Sequence, residues 1–144
     1  MREGETEGVN YYFLTEEQFA YKVLSYEMLE ASLHNWYYGT TYEALRSDVT
    51  NVGVFNPEAL NYIYNNKNIN LRVFYIHTDD KIRLLRQLNR EQNPDVNEIV
   101  RRYGTDARDF NPGDFDFKYT LLINNEEEDL QKCVDRIIEA IGQF

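Results

Sequence analysis

The run Leu71-Arg72-Val73-Phe74-Tyr75-Ile76 constrains this chain more than any other stretch. Five of its residues are apolar or aromatic, and a helix signal stands on either side. A short, nearly continuous apolar run of this kind reads as a strand buried on both faces, which occurs where helices cover a parallel sheet. Upstream, Asn56-Pro57 supplies an N-cap and then a proline in the first turn, where its missing N–H costs nothing, so a helix is predicted from there to about Asn65. Downstream, Thr78 is predicted to cap a helix whose positive end receives Asp79 and Asp80. Asp95-x-x-Glu98 begins another helix toward Phe110, after the interruption at Asn93-Pro94. Asn111 to Asp114 reads as a loop, Tyr119 to Ile123 as a strand, and 126–142 as a helix burying Leu130, Val134, Ile137, Ile138 and Ile141. Strands alternating with amphipathic helices predict an α/β domain with a parallel sheet.

The first third has a different texture. Val9, Tyr11 and Phe13 alternate as a short strand, and Thr15-Glu16-Glu17-Gln18 is a capping box opening a helix with Phe19, Val23 and Tyr26 on its apolar side. Residues 28–34 and 36–38 read as strands, Gly39-Thr40-Thr41 as a turn, 42–50 as a helix and Val52–Phe55 as a short apolar strand. No linker or repeat divides the chain, so one domain over 1–144 is expected.

A chain of 144 residues is large enough for a real core, and 42% apolar with 28% charged residues is ordinary globular composition. The formal charge of −10 argues against general nucleic-acid or anionic-membrane binding. No apolar run approaches the roughly 20 residues that span a bilayer. One cysteine, Cys133, excludes an internal disulfide and suits a reducing cytoplasm; its place beside the last helix's apolar face makes it a core residue. His34 and His77 have no partner at metal-ligand spacing, so no metal site is expected. A local cluster of cations nevertheless reverses the global sign, because Arg83, Arg86, Arg90, Arg101, Arg102 and Arg108 fall in one stretch.

Three groups of residues carry a resemblance. Arg2-x-Gly4-Glu5-x-x-Gly8-x-Asn10-Tyr11-x-Phe13, then Glu30 with Tyr37-Tyr38-Gly39-Thr40-Thr41, then the arginine-bearing helices followed by Tyr119 to Asn125, stand in one order along nearly the whole chain. Together they resemble the guanylate kinase family. The resemblance implies a GMP-binding region over 2–45, a lid and following helix over 78–110, and a core remainder over 52–76 and 111–144. It implies that Glu30 reads guanine, that Arg2, Tyr11, Tyr38 and Thr40 hold the monophosphate end of the site, and that Asn56 helps read the base. Arg86, Arg90, Arg101 and Arg102 are implied as the lid's catalytic cations, and Asn124 as the border of the adenine site.

The residue types suit those roles. Guanine presents an N1–H beside an amino group, and one carboxylate accepts both, at roughly 1.5–3 kcal/mol per charge-assisted bond. Tyrosine hydroxyls and a planar guanidinium donate to phosphate, and closing arginines stabilise charge in a phosphoryl transition state. Singly, each residue has a plainer use: Glu30 as an exposed strand position, the tyrosines as half-buried packing, the arginines as a solvated helix face, Asn56 as a helix cap. Only the joint pattern favours the site.

Departures from the family shape the expected activity. None of the 7 glycines is followed by lysine, so the G-x-x-x-x-G-K-[ST] loop, with its backbone cradle and magnesium-bound hydroxyl, is absent from these residues. Met1 falls inside the family's T-T-R-x-x-R-x-G-E segment, as expected of a chain cut short. The first strand of such a fold lies mid-sheet, so its absence predicts exposed ladder groups, covered by self-association or strand exchange. The family's L-D-I-D strand end reads Val54-Phe55-Asn56 here, which removes two charges and leaves a deoxy or modified base open. Two functions follow as expectations. One is ATP- and Mg2+-dependent phosphorylation of GMP or dGMP by the family's full apparatus, with neither ATP nor Mg2+ held well by these residues alone. The other is a non-catalytic guanylate-kinase-like module that binds a phosphorylated ligand or protein partner.

Overall fold

A computed structural model describes residues 6–9, 11–32, 37–90 and 92–142, with the side chains of Glu30 and Ser32 outside the description. Met1, Arg2, Gly4, Glu5, Asn10 and His34, which figured in the sequence reading, lie outside the described residues. The chain is α/β and divides into two compact units, Met1–Gly53 and Val54–Phe144.

The first unit holds α1 (Glu16–Leu24), β1 (Met28–Ser32) and β2 (Tyr38–Thr41). The capping box forms in full. Thr15 Oγ1 accepts from Gln18 N at 3.2 Å and Gln18 Oε1 accepts from Thr15 N at 2.9 Å, which satisfies two amides that the helix leaves free. Phe19 is buried and stacks on Tyr37 at 5.7 Å. The helix stops before Tyr26, which takes φ 60° in the left-handed region and stands exposed, so it is an exit residue and not part of the apolar stripe. The strands pair antiparallel, Glu30 opposite Thr40 and Ala31 opposite Gly39, with an irregularity between Met28 and Glu30.

Three expectations fail over this part of the chain, two of them for identifiable reasons. The described residues among 9–13 form no strand; one isolated bridge links Glu7 to Tyr11. The helix expected over 42–50 shrinks to a single 3-10 turn, Tyr42–Ala44. Asn51 is the competitor: its Oδ1 accepts from Arg46 N at 3.0 Å, and its Nδ2 donates to the carbonyls of Arg46 at 2.8 Å and Val49 at 3.2 Å. A side chain that satisfies those backbone groups removes the advantage of continuing the helix. The strand expected over 52–55 is unpaired: Val52 is 80% exposed and Val54 fully so, with no described strand beside them to complete a ladder.

The second unit runs α2 (Pro57–Tyr64), β3 (Phe74–His77), α3 (Asp80–Arg90), α4 (Val96–Asp109), β4 (Thr120–Ile123) and α5 (Asp129–Ile141). β3 and β4 pair in parallel, Tyr75 opposite Leu121 and Ile76 opposite Leu122. The ladder extends at both ends, Thr120 N donating to Val73 O and Asn124 N to His77 O, each at 2.9 Å. Val73, Ile99, Leu122, Ile63, Phe117 and Cys133 are the buried hydrophobic residues of this unit. An aromatic cluster joins Tyr75, Phe115, Phe117 and Tyr119, with Phe115 stacked on Phe117 at 4.8 Å. On α5 the buried face differs from expectation. Cys133 packs inward, its Sγ 3.3 Å from Ile123 O, while Leu130 at 59% and Ile138 at 60% exposure form an outer stripe.

Candidate functional site

In the first unit Thr6 to Val9 form a tight turn that leads to Tyr11. Gly8 N donates to Tyr11 O at 2.8 Å and Val9 N to Thr6 O at 3.2 Å, while Gly8 takes φ 72°, open to glycine at little cost. Glu7 Oε2 accepts from Phe13 N at 2.8 Å and ties off the far side. The turn sets the Tyr11 ring 5.7 Å from that of Tyr38 on β2. Tyr38 pairs with Ser32, and two residues on Thr40 pairs with Glu30, so four sequence-predicted positions converge on one hairpin. Both tyrosines are partly exposed. At the base of the hairpin Lys22 Nζ meets Glu27 Oε2 at 2.9 Å and Ser25 Oγ donates to Glu27 Oε1 at 2.9 Å. The Lys22 bond holds the Glu27 carboxyl below its usual range, and Glu27 in turn raises Lys22.

In the second unit polar and cationic side chains gather at the carboxyl ends of β3 and β4. Thr78 Oγ1 donates to Asn124 O at 3.0 Å, and Asn125 Oδ1 accepts from Asp79 N at 2.8 Å. Thr78 therefore ties the two strand ends together, and α3 begins two residues on at Asp80. Arg86 completes the knot from α3, Nη1 donating to Asn124 O at 2.9 Å and Nη2 to Asn125 O at 3.0 Å. Asp129 Oδ2 accepts from the amides of Asn125 and Glu126, and these bonds together with Lys132 hold its carboxyl below the usual range. A cavity of about 180 Å3 beside this knot is lined by Thr78, Arg83, Arg86, Gln87 and Arg90. Arg83 leans over the Tyr103 ring of α4 at 4.4 Å.

Arg101 and Arg102 stand on α4, where Glu98 engages both. Those contacts hold Glu98 at about 2, far below an ordinary glutamate. Asn56 serves as the cap of α2, its Oδ1 accepting from Ala59 N at 2.8 Å. His77 and Asp79 approach to 3.7 Å, but among the described residues no group of three His, Cys, Asp or Glu is placed to hold a metal ion. Sequence reasoning missed Thr78 as a strand tie, Gln87 as a cavity wall, and Glu98 as the partner of two α4 arginines. Only the last had a local signal, the i, i+3 and i, i+4 spacing of Glu98 to Arg101 and Arg102.

Cationic side chains gathered at the carboxyl ends of parallel strands define the class of α/β proteins that hold phosphorylated ligands at that edge. The comparisons narrow the class. Residues 1–141 match the family model described as guanylate kinase. A guanylate kinase of Fusobacterium nucleatum subsp. nucleatum is 32% identical over 146 residues, covering 94% of this chain and 74% of that protein. The chain belongs to the guanylate kinase family, and with it to the nucleoside monophosphate kinases.

Proposed function

We propose that this chain recognises GMP or dGMP through its first unit and carries the lid arginines of a guanylate-kinase-type phosphotransferase in its second. The observation that carries the reading is the convergence of Tyr11, Tyr38 and the Glu30–Thr40 pair on one hairpin of a chain from this family. Glu30 would accept guanine's N1–H and amino group, and the hydroxyls of Tyr11, Tyr38 and Thr40 would donate to phosphate alongside Arg2. Arg86, Arg90, Arg101 and Arg102 would stabilise phosphoryl charge as catalytic residues, with Asn124 bordering the adenine of the donor.

The family's reaction takes ATP and Mg2+, and the residues here do not fit that half of it. None of the 7 glycines precedes a lysine, and no described cluster of carboxylates is built for a metal. The 144 residues by themselves therefore bind the monophosphate without transferring phosphate at an appreciable rate. The unused edge of β3 (beyond the β4 pairing) and the unpaired Val54 are where self-association or strand exchange would occur. No described helix is long and apolar enough to cross a membrane, and the cytoplasm is the proposed location.

Calorimetric titration of GMP, dGMP and AMP into the chain and its Glu30→Gln variant tests the reading. Guanine-selective binding that the variant loses is the expected result. Equal binding of GMP and AMP would replace it with a phosphate-binding module, and turnover in a coupled ATP/GMP assay would overturn the predicted inactivity.

A further inference from the structure

α4 begins at Val96 behind the cap Asp95, whose Oδ1 accepts from Glu98 N at 3.1 Å. This fixes Glu98 in the first turn, with its carboxylate reaching residues three and four positions on. Glu98 Oε2 accepts from Arg101 Nε at 2.6 Å, and Oε1 accepts from Arg101 Nη2 at 2.8 Å and from Arg102 Nε at 2.7 Å. A guanidinium's Nε–Nη edge is the fork that takes a phosphate or carboxylate in two parallel bonds. One carboxylate thus fills the fork of Arg101 and half that of Arg102.

Asp95 turns its carboxylate to the Glu98 amide, and Arg83 of α3 lies over the Tyr103 ring with Nη2 3.4 Å from Asp80. The arginines are 64% and 55% exposed, so the contacts stand in water. Exposed ion pairs hold weakly and are screened by salt, which makes such a clamp easy to exchange. Helical spacing brings Glu98 to both arginines, and the result is that one carboxylate holds three donors of two guanidinium groups.

We propose that Glu98 is an internal competitor for the phosphoryl ligand of Arg101 and Arg102. It occupies their donors while the site is empty and is displaced when a phosphate-bearing ligand arrives. The proposal rests on the reading of these arginines as phosphate contacts. No covalent bond changes; one carboxylate leaves two guanidinium groups and a phosphoryl group takes its place.

The test is titration of inorganic tripolyphosphate and of ATP, at low salt, into the 144-residue chain and its Glu98→Gln variant. Glutamine at this position keeps a favourable first-turn residue, so the helix should persist. Affinity for both ligands should rise roughly three- to tenfold in Glu98→Gln, and adding Arg101→Gln and Arg102→Gln to that variant should cancel the rise. In the unaltered chain the Nε–H resonances of Arg101 and Arg102 should move as tripolyphosphate binds. Unchanged or weaker binding by Glu98→Gln overturns the proposal, as does a gain confined to ATP, or no tripolyphosphate binding by either chain. GMP affinity, measured in the same two chains, depends on Glu30 and not on Glu98. Loss of guanine selectivity would therefore sink the hairpin reading alone.

Discussion

The two units of this chain are built on different terms. The second buries Ile63, Val73, Ile99, Phe117, Leu122 and Cys133 around a parallel strand pair, whereas the first buries Phe19 and Leu29 among the described residues. What the first lacks in buried area it replaces with polar closure: a full capping box, the Lys22–Glu27–Ser25 cluster and the Asn51 loop. Apolar burial contributes about 25 cal/mol per Å2, while a net hydrogen bond contributes about 1 kcal/mol. A unit held mainly by the second kind of contact opens more readily, which suits the recognition role proposed for it, since ligand-binding segments are generally drawn from that end of the stability range.

The sharpest way to break this contrast is a pair of core truncations. Leu122→Ala should cost about 2–5 kcal/mol and unfold the second unit. Phe19→Ala should cost a similar amount but abolish amide protection only in α1, β1 and β2, leaving β3 and β4 protected. Hydrogen exchange followed residue by residue checks both, and joint loss of protection in Phe19→Ala would show that the units fold as one. Next in size is Glu30→Gln, which should weaken GMP binding by about 1.5–3 kcal/mol while leaving AMP unchanged in calorimetry.

Smaller effects sharpen the same comparison. Gly8→Ala forces a β-carbon onto a residue at φ 72° and should destabilise the Tyr11 turn by about 1 kcal/mol, read as weaker GMP binding and an altered Tyr11 ring environment. Thr15→Ala should remove about 1 kcal/mol from α1 in urea denaturation without changing the second unit. The pH effect belongs to α4. Glu98 sits at about 2 when folded, against an ordinary 4.5. Its stabilisation is therefore present above pH 4.5 and is lost as pH falls from there toward 2. Backbone amide shifts of α4 should report that loss, and Glu98→Gln should flatten the response.

Much of the architecture was readable along the chain because its causes are local. Asn56-Pro57, Thr15 with Gln18, and Asp95 with Glu98 each satisfy amides within three residues, so spacing alone locates the helix starts. The readings failed where a distant or competing partner decided the outcome. The helix over 42–50 lost to one asparagine side chain. The segment 52–55 has the composition of a strand but no described neighbour to pair with. Leu130 and Ile138 fit the helical period yet face outward, because β4 meets the Cys133 side of α5.

The candidate site divides in the same way. Sequence alone named the side chains proposed for the chemistry, since the suitability of a carboxylate for guanine, of hydroxyls for phosphate and of arginines for phosphoryl charge is a property of residue type and order. It also determined that these residues contain no lysine-bearing phosphate loop. Only the tertiary structure decided who holds two of those groups, Arg86 on the carbonyls of Asn124 and Asn125 and Tyr11 against Tyr38, whereas Arg101 and Arg102 meet Glu98 inside one helix at a spacing already legible in the chain. For Arg86 and Tyr11 the reason is reach. A guanidinium or phenol ends several ångströms from its own backbone, and its partner is whichever group the fold brings to that point, here 38 residues from Arg86 in the chain.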